Sequence, residues 1–235
     1  MMATAHTVKS FDEELSSLET SILQMAGLCE TNLTLSVDAL MKRDAETAAK
    51  LIEADARVDQ YERDIEASAF RLLALRQPMA DDLRYVFGTV KMSGSLERVG
   101  DYSKNIAKRT LILSEHPSIL PPPDLVRLSQ LACERLRDSI DAFANRDAEK
   151  AASVWSRDQE IDDFYARIMR DIFSEMSGDP ESIECGAHFM FIAKNLERVG
   201  DHATNIAEVI EFQLSGNWRS GERPKIDTLI ETQPI

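Results

Sequence analysis

Carboxylates recur with helical spacing at two places in the chain, and both places lie within the same short sequence. The hexamer LERVGD occurs twice without change. If each copy is helical, Glu97 and Asp101 lie four residues apart on one face. Glu197 and Asp201 have the same relation in the second copy. Because clustered carboxylate oxygens suit hard or borderline cations, the repeat predicts two equivalent metal-binding faces.

A second pair of carboxylates with the same spacing precedes each copy of the hexamer. In an antiparallel bundle, the helices that carry the two pairs are neighbours, so their acidic faces can converge. Four carboxylates held together repel one another unless a cation or protons neutralise them. The predicted metal ligands are Glu97, Asp101, Asp55 and Asp59 in the first half, and Glu197, Asp201, Asp158 and Asp162 in the second.

Solvated ion pairs on helix surfaces explain the same residues without a metal. Lys104 follows Asp101 by three positions, and Lys194 precedes Glu197 by three. Such pairs are common and contribute little stability. The glycine of each LERVGD copy costs a helix about 1 kcal/mol relative to alanine. It permits close approach by either a helix or a ligand, so it does not decide between the two interpretations.

No histidine belongs to the repeated pattern, and no motif for an activated nucleophile occurs in the sequence. His188 and His202 have no histidine at the matching positions of the first half, so we do not assign them to the repeated site. The repeated Arg98 and Arg198 are expected to pair with nearby acids. Phosphate-binding loops, nucleophile elbows and zinc-protease motifs are absent from the sequence. The residues leave three classes open: a metal-dependent adaptor, a metal-dependent phosphohydrolase and a metal-free helical scaffold.

Apolar residues spaced by three and four predict six long helices, three in each half. Asp44 is a predicted N-cap, and Gln77-Pro78 is a predicted helix break. The segment Arg43-Asp44-Ala45-Glu46 returns at residues 146–149, which extends the repeat beyond the hexamer. We therefore predict an all-α fold of two tandem pseudo-symmetric three-helix bundles. The predicted helices span about residues 11–40, 45–75, 79–114, 124–145, 147–176 and 179–214.

The run Pro121-Pro122-Pro123 marks the predicted boundary between the halves, because it cannot continue a helix. We predict a first repeat over residues 1–117, a proline-rich connector over 118–123 and a second repeat over 124–215. Gly216 begins a C-terminal segment without periodicity, and we expect this tail, residues 216–235, to be mobile.

The composition narrows the classes of partner. The 235-residue chain has a net charge of −14 and is 43% hydrophobic, which indicates a soluble globular protein that does not bind nucleic acid. No apolar run is long enough for a signal peptide or a membrane span. The three cysteines have no disulfide or zinc-finger spacing and suit a reducing compartment.

Both LERVGD copies are followed by Asn-Ile-Ala, and this extended segment resembles the signature of the PhoU family of phosphate-uptake regulators. The opening Phe11-Asp12-Glu13-Glu14-Leu15 and the two Arg-Asp-Ala-Glu turns are also similar to that family, so the resemblance runs from about His6 to Leu214. It implies a cytoplasmic, non-enzymatic and homodimeric negative regulator of phosphate uptake and the phosphate-starvation response. The implied partners are the ATPase subunit of a phosphate ABC transporter and a phosphate-sensing membrane histidine kinase, through which alone it meets the membrane. The acidic motifs would bind iron, zinc, manganese or magnesium.

Overall fold

The structure, a computed structural model, describes residues 2–116, 120–179 and 182–219, with side chains from residue 10 onward. Helices account for nearly all of these residues, and no β-strand occurs among them. The helices are α1 (Met2–Lys42), α2 (Ala45–Arg76), α3 (Ala80–Ser114), α4 (Pro123–Asn145), α5 (Ala148–Ser156), α6 (Gln159–Gly178) and α7 (Ile183–Ser215).

Two three-helix bundles follow one another along the chain, as the repeat predicts. Helices α1, α2 and α3 pack together in the first bundle. In the second, α4 and α7 pack with α5 and α6, which together take the place of α2. Residues 118 and 119 of the predicted connector and residues 220–235 of the predicted tail lie outside the described residues. None of the helices in the described part of the chain combines the length and apolarity needed to cross a bilayer.

The turns that start the second helix of each bundle use the same cap. Asp44 accepts a hydrogen bond from the backbone N–H of Thr47 at 3.0 Å, which confirms it as the N-cap of α2. Asp147 accepts from the N–H of Lys150 at 2.9 Å at the start of α5. Each carboxylate thereby satisfies one N–H group that the helix itself leaves without a partner.

The fifth predicted helix, over residues 147–176, is interrupted in the structure. It stops at Ser156 and resumes at Gln159. At the interruption, the N–H of Arg157 bonds to the carbonyl of Val154, three residues back instead of four. This local tightening turns the chain between α5 and α6. Asp158 therefore lies at the helix junction and not in the middle of a continuous helix.

Helices α3 and α7 form the seam between the bundles, and one hydrophobic core extends across it. Tyr102 lies against His202, with ring centroids 5.7 Å apart. Arg109, later in α3, contacts His188, earlier in α7, so the two helices run antiparallel. Because Tyr102 and His202 occupy matching positions of the two repeats, the pseudo-two-fold axis passes between them.

His188 accepts a hydrogen bond at this seam. Its Nδ1 lies 3.2 Å from Nη1 of Arg109, which can only donate. Burial, and then the charge of Arg109, lower the pKa of His188 below its ordinary value of 6.5. The neutral imidazole is therefore part of the packed state.

His188→Gln is expected to remove an acid-dependent loss of stability. Between the lowered pKa of the folded chain and the ordinary value near 6.5, the unfolded chain binds a proton that the folded chain does not. Wild-type stability should therefore fall as the pH decreases through this window, and the variant should lose that component. Urea unfolding at pH 7.5 and at pH 5 measures the difference. An equal loss of stability on acidification in both proteins would contradict this assignment.

Candidate metal-binding site

The predicted ligands of the first repeat lie on two adjacent helices that approach closely. Asp55 and Asp59 are on α2, and Glu97 and Asp101 are on α3. Gly100 permits this approach, because a Cβ atom placed there would lie 3.0 Å from Cγ1 of Val58 on α2. The same Cβ would lie 3.5 Å from Oδ1 of Asp55. The glycine of the motif is thus explained by helix packing, beside a carboxylate.

Lys104 neutralises one end of this site. Its Nζ lies 2.5 Å from Oδ2 of Asp55 and 3.5 Å from Oδ1 of Asp101. The Asp55 side chain is only 5% exposed, so this ion pair is largely shielded from water. Asp55, Asp101 and Lys104 therefore form a cross-helix ion-pair cluster in the structure.

Glu97 lies farther along α3, where negative charge accumulates. Burial raises the pKa of Glu97, and the neighbouring charges of Asp101, Glu62 and Asp59 raise it further. Arg98 opposes this effect, with its Nε 3.4 Å from Oε2 of Glu97. Because the Arg98 side chain is 58% exposed, water screens much of its attraction. This part of the site therefore favours an additional cation or a proton.

Glu62 was not among the predicted ligands, although it belongs to the same acidic face. Asp55, Asp59, Glu62 and Glu66 follow one another at intervals of four, three and four along α2. Glu62 does not recur in the second repeat, where Tyr165 occupies its place, so the repeated pattern does not predict it. Burial, and then the charge of Glu66, raise the pKa of Glu62. Its helical spacing alone was a sufficient signal.

The second repeat places its predicted ligands differently. Asp158 is buried at the α5–α6 junction, where its Oδ1 accepts a hydrogen bond from Oγ1 of Thr204 at 3.0 Å. Glu197 is 9% exposed in its side chain, and its Oε1 lies 2.8 Å from Nζ of Lys194. Asp162 and Asp201 are partly buried on α6 and α7. The two acidic sites therefore share their position in the fold, but Asp55 accepts from a lysine, whereas Asp158 accepts from a threonine hydroxyl.

The donor chemistry fits a metal, but the present side-chain positions do not form a cage. Within the described ranges, no three carboxylate, imidazole or thiol groups are close enough together to hold one ion. The groups available are carboxylate oxygens, which suit magnesium, manganese and similar cations. Thiolate ligands are disfavoured, because burial raises the pKa of Cys29 and Cys185. Metal binding would require the carboxylates to rotate towards the ion.

The motif arginines and His202 contact charged or aromatic side chains nearby. Arg98 pairs with Glu97 and, through Nη1 at 3.5 Å, with Asp101 on its own helix. Arg198 lies over the ring of Tyr102, 5.9 Å from its centroid. His202 meets the same ring at the bundle seam. The expectation that both arginines pair with acids is thus met by Arg98, whereas Arg198 lies over an aromatic ring.

Comparisons with known proteins agree with this all-helical, two-repeat architecture. The PhoU domain model matches residues 22–110 and again residues 125–210. The chain therefore belongs to the PhoU family. A Caulobacter vibrioides protein named phosphate-specific transport system accessory protein PhoU homolog is 46% identical over 96% of this chain and 99% of its own. A Rhizobium meliloti protein of the same name is 43% identical over 96% of each chain.

Solved structures of family members have the same fold. The crystal structure of PhoU from Pseudomonas aeruginosa superposes with a TM-score of 0.84 at 34% identity, covering 88% of this chain and all of that one. The structure of the phosphate transport system regulatory protein PhoU from Streptococcus pneumoniae gives a TM-score of 0.83 at 33% identity, covering 89% of this chain and 99% of that one. These matches confirm the predicted fold class.

Proposed function

We propose that this chain is a metal-binding cytoplasmic adaptor of a phosphate-specific transport system, and that it restrains phosphate uptake and the phosphate-starvation response. Relatives that match almost the whole chain are named as accessory proteins of such a system. The observation that carries the metal assignment is the carboxylate face between α2 and α3. There, burial and neighbouring acids raise the pKa of Glu97, which means that the negative charge of its carboxylate is unfavourable. A bound cation would offset that charge.

The proposed partners are the transporter ATPase subunit and a phosphate-sensing membrane histidine kinase. An adaptor shifts a partner's equilibrium only by binding one state more tightly than another. Metal on the acidic faces would change the charge that this strongly acidic chain presents to such partners. The homodimeric state, and contact with the membrane only through these partners, belong to the same proposal.

The proposal treats the chain as non-enzymatic. The buried thiols have raised pKa values and are poor nucleophiles. The matching accessory proteins carry names that describe a supporting role in transport. Turnover of a phosphoester by the manganese-loaded or iron-loaded protein would overturn this part and favour a metal-dependent phosphohydrolase.

Replacing Glu97, Asp101, Glu197 and Asp201 together by alanine is expected to abolish metal binding while the helices remain. Glu97, Asp101 and Asp201 are partly buried and Glu197 is buried, but the apolar residues that form the core of α3 and α7 are unchanged in the variant. Elemental analysis of protein purified without added metal or a histidine tag measures the effect, and circular dichroism verifies the helices. Equal metal content in the wild type and the variant would reject the metal assignment.

The partner assignment needs a separate measurement. Purified transporter ATPase and the cytoplasmic part of the kinase would each be tested for binding to the wild type and to the quadruple variant, with and without manganese. Binding of the wild type to both partners, changed by the metal, is the expected result. Binding to neither partner in any metal state would reject the adaptor role.

A further inference from the structure

Three arginine side chains converge on one carboxylate where α4 packs against the junction of α5 and α6. Nη2 of Arg135 lies 2.7 Å from Oε2 of Glu160. Nη2 of Arg127 lies 3.8 Å from Oε1 of the same carboxylate, and Nη2 of Arg157 lies 3.9 Å from its Oε2. Three positive charges thus surround one negative charge, in a chain whose net charge is −14. Arg127, Arg135, Arg157 and Glu160 together form the arginine site.

Arg135 is the buried member of the arginine site, and it does not use all of its hydrogen-bond donors. Its side chain is only 2% exposed. Among the described residues, no group accepts a hydrogen bond from its Nε or Nη1 atom, although both atoms are buried. Buried donors are nearly always paired, because an unpaired donor loses its bonds to water without a replacement. Arg135 therefore has the capacity to bind a further acceptor.

The two unused nitrogens of Arg135 flank the nitrogen that contacts Glu160. A guanidinium group is planar, so Nη2 can bind an oxyanion side by side with either Nε or Nη1. In the described chain, Glu160 accepts from Arg135 through Nη2 alone. A tetrahedral oxyanion has more acceptor oxygens than a carboxylate, so it can accept from two of these nitrogens and still face Arg127 and Arg157. Glu160 thus marks the position of an anion but satisfies the surrounding donors incompletely.

The electrostatics around Arg135 also favour an additional negative charge. Burial lowers the pKa of Arg135, and the positive charge of Arg157 lowers it further. Nearby acids, first Glu160 and then Asp138 and Glu134, oppose this shift without reversing it. Glu160 lies in the first turn of α6, where the positive end of the helix dipole attracts anions. The acids already present therefore do not fully offset the positive charge at this place.

The outer part of the arginine site is open to solvent. The side chains of Arg127 and Arg157 are 45% and 49% exposed, and that of Glu160 is 38% exposed. Glu160 can therefore rotate into water and leave the position between the arginines. The buried guanidinium group of Arg135 would then form the floor of the site, with the two exposed arginines at its entrance.

The arginine site distinguishes the second repeat from the first. The first repeat has uncharged residues at all three arginine positions: Asn32 in place of Arg135, Gln24 in place of Arg127 and Ala54 in place of Arg157. Its second helix, α2, is also continuous where α5 ends and α6 begins in the second repeat. One arginine would suffice to pair with Glu160, so the other two favour an anion with more charge than a single carboxylate.

We propose that the arginine site binds a free inorganic oxyanion of the phosphate type, which displaces Glu160 and takes its place between Arg127, Arg135 and Arg157. Phosphate matches the planar donor groups of arginine and presents several strong acceptor oxygens. Its binding would join α4 to the start of α6 and stabilise the folded second bundle. The proposal is independent of the metal assignment, because none of these four residues is a predicted metal ligand.

The test measures phosphate binding to the full chain after metal has been removed with EDTA. Inorganic phosphate is titrated by calorimetry at low ionic strength, with sodium chloride at matched ionic strength as the reference. Binding of one phosphate per chain is the expected result. Arg135→Met should weaken it about tenfold or more, because the variant loses charge-assisted hydrogen bonds but keeps much of the side-chain volume.

Arg167→Met is the matched control for loss of an arginine between the same two helices. Arg167 on α6 pairs with Asp124 on α4 at 3.0 Å and is not part of the arginine site. This variant should leave phosphate binding within about twofold of the wild type.

Two further variants keep the test independent of the buried arginine. Glu160→Gln removes the competing negative charge and should tighten phosphate binding about tenfold, because the site no longer has to be vacated first. The double variant Arg127→Met/Arg157→Met changes only exposed residues and should weaken binding as much as Arg135→Met does. Circular dichroism and thermal unfolding without phosphate verify that each variant is folded.

Several results would overturn the proposal. These are no binding of millimolar phosphate by the wild type, unchanged binding in the folded arginine variants, or binding that Glu160→Gln leaves unchanged or weakens. Tighter binding of glycerol phosphate than of inorganic phosphate would show that the site takes a phosphate ester and would overturn its assignment to a free ion. Because the protein is free of metal throughout, none of these results bears on the proposed metal binding, and the two proposals can fail separately.

Discussion

Leu196→Ala is expected to lower the free energy of unfolding by about 2–5 kcal/mol, the usual cost of removing a fully buried leucine side chain. Leu196 is the first residue of the second LERVGD copy and is completely buried in α7. It belongs to the core that joins the two bundles, so the cavity would form where neighbouring helices are held on several sides. Urea or guanidinium unfolding followed by circular dichroism measures the change.

Leu75→Ala is the matched control, because Leu75 near the end of α2 is 70% exposed. The same chemical change there should alter stability by less than about 0.5 kcal/mol. A loss of stability at Leu75 as large as that at Leu196 would show that helix propensity, and not core packing, sets the cost. Metal binding measured on folded Leu196→Ala should persist, since the substitution leaves every predicted carboxylate ligand in place.

Gly200→Val is expected to destabilise the second bundle by about 1–3 kcal/mol through overpacking. A Cβ atom on Gly200 would lie only 2.6 Å from Cδ1 and 3.3 Å from Cγ2 of Ile161 on α6. Ile161 is itself buried, so it has little room to move. The same substitution at Gly27, where a Cβ atom would meet nothing within 4 Å, should cause no loss.

A second substitution identifies the cause. Ile161→Val removes the Cδ1 atom that the new side chain would meet. The double variant Gly200→Val/Ile161→Val should therefore be more stable than the sum of the two single changes predicts, with a coupling of about 0.5–3 kcal/mol. Strict additivity of the two changes would mean that Gly200 is required for some reason other than contact with α6.

The sequence predicts the helices well because each buries a stripe of apolar residues with clear periodicity. Leu96 and Val99 are both fully buried in α3, as that spacing requires. The interruption of the fifth helix could not be predicted in the same way. The junction at Arg157 and Asp158 contains neither proline nor glycine, and apolar spacing continues across it. Beside the junction, the buried Arg135 on α4 pairs with Glu160 at 2.7 Å. This ion pair joins residues that are distant in sequence, so helical periodicity does not reveal it.

Some contacts of the candidate site can be predicted from spacing along one helix, whereas others depend on how two helices pack. Spacing alone predicts the contacts of Lys104 with Asp101 and of Lys194 with Glu197, since each pair is three residues apart on one helix. The closer contact of Lys104 with Asp55 connects α3 to α2 and depends on how the two helices pack. Metal binding by the eight predicted ligands stays a prediction.

The seam between α3 and α7 bears on how the two repeats came to differ. In a true homodimer, any residue on the two-fold axis meets its own copy, so both partners must carry the same side chain. Tyr102 and His202 meet at the corresponding place in this chain with ring centroids 5.7 Å apart. A phenol facing an imidazole is possible there only because the two halves are encoded separately. Because both repeats are encoded in one chain, residues at the pseudo-two-fold axis need not be identical. The same holds for the two acidic sites, so one repeat can change without a matching change in the other.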